Sequence, residues 1–320
     1  VFDSNGVFLR TIGQKGQGPG EIGQTGSLVI GSGDTLVVEA GARRIGIFGP
    51  EGEPARDLTL RFGSVGCLHQ SGNRAVLLRN GRLLLSASVS TPEYAGIPLY
   101  VTDDRGDLMH AFGTPNTATL GTLSCRLLAL GANRLSVWIA EPKGYRLEQR
   151  LITEDASFPV VRVLGVKAPW LLVGQAPFMT PAETLEAFEK GKKRSSAPQS
   201  HEAPAERPEF LQRAPETLLR GLSVDSEDRL WLVWQAPARG WDTVRTKYAH
   251  RDELLLSSGL NDRLWETIVD VIDTKTGVLR LRTKFPFHAH LAAPGFIAHP
   301  FYSGLGEPEV RIWSISLRAP

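Results

Sequence analysis

The stretch that decides the fold is FLRTIG, residues 8–13, an aromatic and β-branched run closed by a glycine. The same ending recurs as LTLRFG at 58–63, LMHAFG at 108–113 and VVRVLG at 160–165. Gly13, Gly63, Gly113 and Gly165 thus fall at intervals of about 50, 50 and 52 residues, and a fixed period in this range marks a repeat architecture. A turn precedes each ending: DSNG at 3–6, GPEG at 49–52, DDRG at 103–106 and the degenerate TEDAS at 153–157. Each reads as the hairpin between the last two strands of a unit, because Gly, Asn and Asp tolerate the left-handed backbone that tight turns require.

Outward from these endings lies a second recurrent strand: DTLVVEA (34–40), GRLLLSA (81–87), NRLSVWIA (133–140) and DRLWLVW (228–234). Its aligned Leu36, Leu83, Leu135 and Leu230 are about 47, 52 and 95 residues apart, the last gap being one unit plus an insertion. A further strand comes before it, clearest in AVLLRNGRLLLSA (75–87), where Asn80-Gly81 is a strong hairpin signal. Each unit is therefore four antiparallel strands. A small sheet whose side chains alternate between faces cannot bury both faces alone, whereas sheets stacked around an axis cover one another. The spacing predicts an all-β protein, a six-bladed β-propeller forming one domain over residues 1–320.

The expected units are about 27–63, 73–113, 125–165 and 218–285, with up to three more strands around PGFIAHPF (294–301) and EVRIWSISL (309–317). Residues 1–13 read as the outer pair of an incomplete first blade, which brings the count to six. Val1 looks like the middle of a strand, so the natural start is expected to lie upstream and to supply a strand that closes the ring. Two insertions interrupt the repeat. Residues 168–217 carry a short helix pattern, with Thr180 as N-cap and Pro181 at the first helical position, followed by a Ser/Pro/Glu-rich tract. Residues 236–266 carry Trp241, Tyr248 and Trp265, with a helical pattern near DELLLSSGLNDRLWETI (252–268).

Composition agrees with many turns and few helices, given 33 Gly and 21 Pro. A net charge of +2 supplies no global field for nucleic acid or an anionic membrane, and the basic run Lys190 to Arg194 lacks interleaved aromatics, so no nucleic-acid partner is expected. No uncharged apolar run approaches the roughly 18 residues needed to cross a bilayer as a helix. Cys67 and Cys125 fit neither a zinc ribbon nor a redox pair, and read as two buried thiols or one disulfide.

VFDSNGVFLRTIGQKGQGPGEI (1–22), GDTLVVEAGARRIGIFGPEGEPARDLTL (33–60), ETIVDVIDTKTGVLRLRTKF (266–285) and EVRIWSISL (309–317) resemble the bacterial six-bladed β-propeller proteins related to NHL-repeat propellers. The element from Gly16 to Glu21, Gly-Xaa-Gly-Pro-Gly-Glu, is the most characteristic part. The resemblance covers the chain except the two insertions and implies an exported, periplasmic or lipid-anchored envelope protein. It transfers no catalytic residue.

Candidate sites follow from individual residues. The Gly-rich loop lacks the Gly-Lys-Ser/Thr ending of a P-loop and precedes no helix pattern, so it reads as a structural crossover. His288 and His290 share one face of an extended segment and His299 can return beside them, which makes a divalent metal the one cofactor these residues could hold. Asp270, mid-strand, either faces the channel or pairs with an arginine of a neighbouring blade. Arg43 and Arg44 could hold an anion, or simply begin a solvated strand. Trp231 and Trp234, an odd number apart, point to opposite faces and read as core. Trp241, Tyr248 and Trp265 could form an aromatic recognition surface, or pack within their insertion.

The function expected from this reading is non-enzymatic: a monomeric binding or scaffold propeller that recognises a protein, peptide or glycan through one mouth and its inserted loops. The competing class is a metal-dependent hydrolase or lyase, lactonase-like, with its site at the channel; it needs Asp, Glu, Asn or His side chains converging on the axis.

Overall fold

The structure is a computed structural model that describes residues 1, 7–23, 28–31, 35–41, 43–62, 73–87, 98–113, 126–142, 145–155, 157–165, 217–241, 243, 262–302 and 307–317. A short parallel pair, β1 (Gln14–Lys15) and β2 (Glu21–Ile22), precedes five antiparallel sheets. Blade I contains β3 (Leu28–Ile30), β4 (Leu36–Gly41), β5 (Arg44–Phe48) and β6 (Pro54–Thr59). Blade II contains β7 (Ala75–Leu77), β8 (Leu83–Ser86), β9 (Leu99–Thr102) and β10 (Leu108–Phe112). Blade III contains β11 (Leu127–Leu130), β12 (Ser136–Ala140), β13 (Arg146–Leu151) and β14 (Val160–Gly165). Blade IV contains β15 (Leu218–Val224), β16 (Arg229–Pro237), β17 (Trp265–Asp273) and β18 (Leu279–Phe285). Blade V has three strands, β19 (His290–Ala293), β20 (Phe296–Tyr302) and β21 (Pro308–Ser314).

The propeller of four-stranded antiparallel blades is therefore as the repeat predicts, but the described residues form five blades, not six. The opening segment makes the difference. Leu9 and Arg10 donate to the Val1 carbonyl, and the Val1 amine donates to the Arg10 carbonyl, yet this narrow pairing joins none of the five blade sheets. Val7, Phe8 and Leu9 stay more than half exposed, so the segment has no core of its own. It leans on the β5–β6 turn instead, where Arg10 donates to Glu51 at 2.9 Å and to the Pro50 carbonyl at 2.8 Å. A sequence period counts strand-like segments; it does not distinguish a two-sided hairpin from a sheet that can bury a face.

The interior lies between blades. One cluster joins blades I and II through Val37, Ile45, Leu58, Ala75, Leu83 and Tyr100. The next joins II and III, and others join III to IV and IV to V. Trp234 belongs to the III–IV cluster and Trp231 to the IV–V cluster, so the two indoles do face opposite sides of β16. Fully burying one Leu or Val contributes roughly 1.5–3 kcal/mol, which makes these interfaces the main source of stability.

The turns close as their residues dictate. Asp103 Oδ1 accepts from the amides of Arg105 and Asp107, and Asn133 and Asp225 fold back on their own turns in the same way. Gly106 has φ +86°, and a Cβ there would stand 2.4 Å from the Thr59 carbonyl oxygen of blade I, so glycine is required twice over.

The first insertion, the helix at Thr180 and Pro181, the basic run 190–194, Cys67, Cys125 and Tyr248 lie outside the described residues. The second insertion is shorter than expected, because β16 runs to Pro237 and β17 begins at Trp265. Its expected helix is not seen over Trp265–Ile268, which are strand; among the described residues only short helical turns occur, at Trp241 and Thr243 and at 262–264. The β-pairing of these residues with β16, Trp265 opposite Pro237 and Ile268 opposite Trp234, overrides the local helical pattern.

Candidate functional site

In every blade the first strand runs in the same sense relative to its sheet, so the first residues of β7, β11, β15 and β19 gather at one end of the axis and the β-turns that follow gather at the other. Both insertions leave from the first end, here termed the loop-bearing mouth. The opposite mouth holds a cavity of about 240 Å³ whose walls come from blades I to IV, including Ile30, Leu77, Leu130, Arg134, Val224 and Asp225. Asn73 reaches into it and donates from Nδ2 to the Leu222 carbonyl at 3.5 Å, joining blade II to blade IV. The cavity's carboxylate is already engaged. Asp225 Oδ1 accepts from the amides of Glu227 and Arg229, and Oδ2 from Arg229 Nε at 2.7 Å and Trp231 Nε1 at 2.9 Å.

The loop-bearing mouth is basic. Arg74 stands just before β7, Arg126 just before β11, Arg220 within the first turn of pleat of β15, and His288 and His290 at the start of β19. Gly221 lies flush against Leu291, where a Cβ would come within 2.6 Å of the Leu291 Cβ, and this close approach sets Arg220 beside His290. The His288 and His290 rings meet edge to face with centroids 4.6 Å apart. Arg220 Nε donates to Gln235 Oε1 at 2.9 Å. Among the described residues, its other guanidinium N–H groups and the ring nitrogens of both histidines have no hydrogen-bond partner.

Burial and mutual repulsion mark this cluster. Burial, aided by the charge of Arg220, brings Arg74 down to about 10, and burial also lowers Arg220. Burial first, then His290 and Arg220, press His288 down to about 4. Burial and Arg220 lower His290 as well, so both imidazoles are neutral at pH 7. Arg126 is lowered by burial but stands apart, held by Glu141 at 2.8 Å.

Of the three histidines considered together from sequence, His288 and His290 face each other, and His299 stands near enough for its charge to act on His288. His299 Nε2 pairs with Asp262 Oδ2 at 2.9 Å and its ring stacks on Phe287, with centroids 4.4 Å apart. Asp262 Oδ1 also accepts from the His288 amide at 3.0 Å. Among the described residues no group of three or more His, Cys, Asp or Glu is arranged to hold a metal ion.

Asp270 is fully buried. It accepts from Arg282 Nε at 2.7 Å and Nη2 at 3.0 Å, and from the Tyr145 hydroxyl at 2.7 Å. The arginine comes from the adjacent strand of the same blade, opposite Asp270 in register, and the neighbouring blade supplies the tyrosine. Burial, then the Asp270 charge, push Tyr145 upward.

Arg43 and Arg44 hold backbone. Arg43 donates twice to the Leu60 carbonyl. Arg44 donates to the carbonyls of Gln17, Gly18, Glu21 and Ala40, and so ties the Gly-rich loop to blade I. In that loop the Glu21 carboxylate accepts from the Gly18 amide at 2.7 Å and from Gln14. The loop folds around its own carboxylate, and the Gly18 amide keeps Glu21 below the ordinary carboxylate value. Trp241 is buried, at 8 % exposure, and Trp265 is half-buried at the start of β17.

No family model and no curated protein matches the chain. Solved structures do. A member of the DUF4221 family from Bacteroides vulgatus matches with TM-score 0.58 at 13% identity, over 98% of this chain and 85% of that one. A protein of Bacteroides fragilis named as a candidate exported protein matches with TM-score 0.50 at 12% identity, over 94% of this chain and 72% of that one. The likeness is one of fold. Among the described residues no helix is long and apolar enough to cross a membrane.

Sequence reasoning missed the basic mouth, although its signal was present. NRAVLL, CRLLAL, LLRGLSV and HAHLAA each place a basic residue at the head of a unit's first strand. Read one repeat at a time these residues look like solvated strand starts; only the superposition of repeats puts them on one axis.

Proposed function

We propose that the chain is a non-enzymatic binding propeller of the bacterial envelope, which holds a segment of a protein, peptide or glycan at its loop-bearing mouth. The observation that carries this reading is the convergence of Arg220, His288 and His290 from two blades, half-buried, with donor groups that the described chain does not use. Partly desolvated donors of this kind favour ligand recognition over folding, since leaving them unpaired costs stability. The envelope location is supported by the resemblance to exported propellers and by the likeness in fold to a candidate exported protein. The metal-dependent alternative finds less support, because the cavity carboxylate Asp225 is fully hydrogen-bonded within its own turn.

The test is a screen of peptide and glycan arrays, followed by hydrogen exchange on each complex and mass analysis of the recovered ligand. The reading expects reversible binders, recovered unchanged, that protect amides at 217–221 and 286–291. Absence of binders, protection confined to the turn-bearing mouth, or chemical conversion of a ligand would overturn it.

A further inference from the structure

We infer that the cavity at the turn-bearing mouth is a second binding site, and that it takes a small aliphatic carboxylic acid. Arg134 meets the carboxylate and the aliphatic walls cover the rest of the molecule. The inference goes beyond the binding function proposed above and does not depend on it.

The walls set the body of the ligand. Val29, Ile30, Val76, Leu77, Leu130 and Val224 line the cavity, and none of its described residues is aromatic. Ile30 is 67% exposed, a large apolar side chain left bare on the first strand of blade I. Contact with an apolar ligand takes that surface out of water, which is favourable in proportion to its area. No ring offers a face for stacking, so an aliphatic group fits better than a planar aromatic one. The volume of about 240 Å³ is below the roughly 300–1,000 Å³ of sites for drug-sized molecules, so the occupant is small.

The polar lining sets the head group. The Asp225 carboxylate accepts four hydrogen bonds within its own blade and has no capacity left for a cation or an amine. Arg134 is the converse. Among the described residues its guanidinium has no hydrogen-bond or ion-pair partner, and the lining hydroxyls of Ser223 and Ser226 have none either. Other arginines at this mouth are engaged: Arg79 and Arg82 donate to the carbonyls of Asn133 and Glu154, and Arg229 pairs with Asp225 and Glu227. A carboxylate matches what is left, because its two oxygens accept the parallel N–H pair of one guanidinium. The aliphatic walls bring no side-chain donor for the additional oxygens of a phosphate.

The backbone points to the same residue. Arg134 has φ +58°, and its amide closes the β11–β12 turn on the Gly131 carbonyl at 2.8 Å. The matching place in the β7–β8 turn is Gly81, which closes on Leu78 at 3.0 Å with φ +77°. The turn therefore favours glycine, and an arginine there carries a conformational cost. A strained residue in a cavity wall is a mark of use.

The experiment uses the full chain and titration calorimetry. Isovalerate is compared with acetate, isoamyl alcohol, isoamylamine, inorganic phosphate and acetyl-glycyl-leucine. The expected result is that isovalerate binds at least tenfold tighter than each of the others. Arg134→Gln should weaken it at least tenfold, Arg134→Lys less, and Arg220→Gln at the other mouth not at all. Ile30→Ser should bring isovalerate down towards acetate. Arg134→Gly separates binding from folding: it should melt at or above the parent, since glycine suits the turn, and still lose the ligand. Equal binding of isovalerate and isoamyl alcohol, indifference to Arg134→Gln, phosphate binding more tightly than isovalerate, or no binding of any probe would each overturn the site. Tighter binding of acetyl-glycyl-leucine than of isovalerate would overturn the assignment to a small acid.

Discussion

Replacing Asp270 by alanine should cost about 3 kcal/mol of folding stability. The carboxylate is fully buried and accepts three hydrogen bonds, two from Arg282 and one from Tyr145 across the III–IV interface. Removing one partner of a buried pair costs about 3–5 kcal/mol, because the other is stranded. Arg282 is 30% exposed along its side chain, so water recovers part of its solvation and the lower end applies. Urea unfolding followed by tryptophan fluorescence reads the change directly, since Trp234 packs on Tyr145 with ring centroids 4.8 Å apart. Asp270→Asn, which keeps one acceptor and the shape, should lose less. The double variant Asp270→Leu with Arg282→Met should recover much of the loss by removing the guanidinium charge together with its carboxylate. An Asp270→Ala protein within about 0.5 kcal/mol of the parent would refute the reasoning, for it would mean that the carboxylate is not sealed between blades.

Other perturbations test other parts of the structure. Gly106→Val should destabilise by more than 1 kcal/mol on melting, as it combines a left-handed φ with a clash against the Thr59 carbonyl; a neutral result would contradict the blade I–II packing. Arg44→Met should release the loop 16–21 without unfolding the blades, so hydrogen exchange should accelerate at Gly18 and Gly20 while β7 to β21 stay protected. Stability should fall as pH drops below 6.5, because the unfolded state protonates His288 at its ordinary value while the folded state resists until about 4. His288→Gln should flatten the stability profile between those two values, and an unchanged slope would show that the ring is solvated. Below the ordinary carboxylate value of 4.5 a further loss is expected as Glu148 is protonated. Burial opposes its ionisation, but the hydrogen bonds from Arg150 and Arg146 prevail and hold it lower; Glu148→Gln should remove that component.

The legible part of this protein was whatever depends on local order in the chain. The glycine endings, the turn sequences and the aligned leucines lie within a unit, and a period exposes them without reference to any neighbour. The alternation of Trp231 and Trp234 needed only the pleat. The count of blades was not legible in the same way, because residues 7–9 have a strand's composition but stay more than half exposed. Asp270 was recognised as costly, yet its partner was sought in the next blade when the register of β17 on β18 supplied it within the same one. Arg44 was ambiguous until the loop it clamps, more than 20 residues earlier, was in place. The basic mouth was hidden for the converse reason, since Arg74, Arg220 and His290 are far apart in sequence and meet only when the blades share an axis.

That shared axis is the claim on which the rest depends, and one cross-link tests it. With Cys67 and Cys125 replaced by serine, Asn73→Cys and Ser223→Cys are introduced together on opposite walls of the cavity. Treatment of the folded protein with a short bismaleimide, read by peptide mass mapping, should join the two within one chain in high yield. A folded protein in which both thiols are modified singly, with no intramolecular link, would show that blades II and IV do not face each other across one channel.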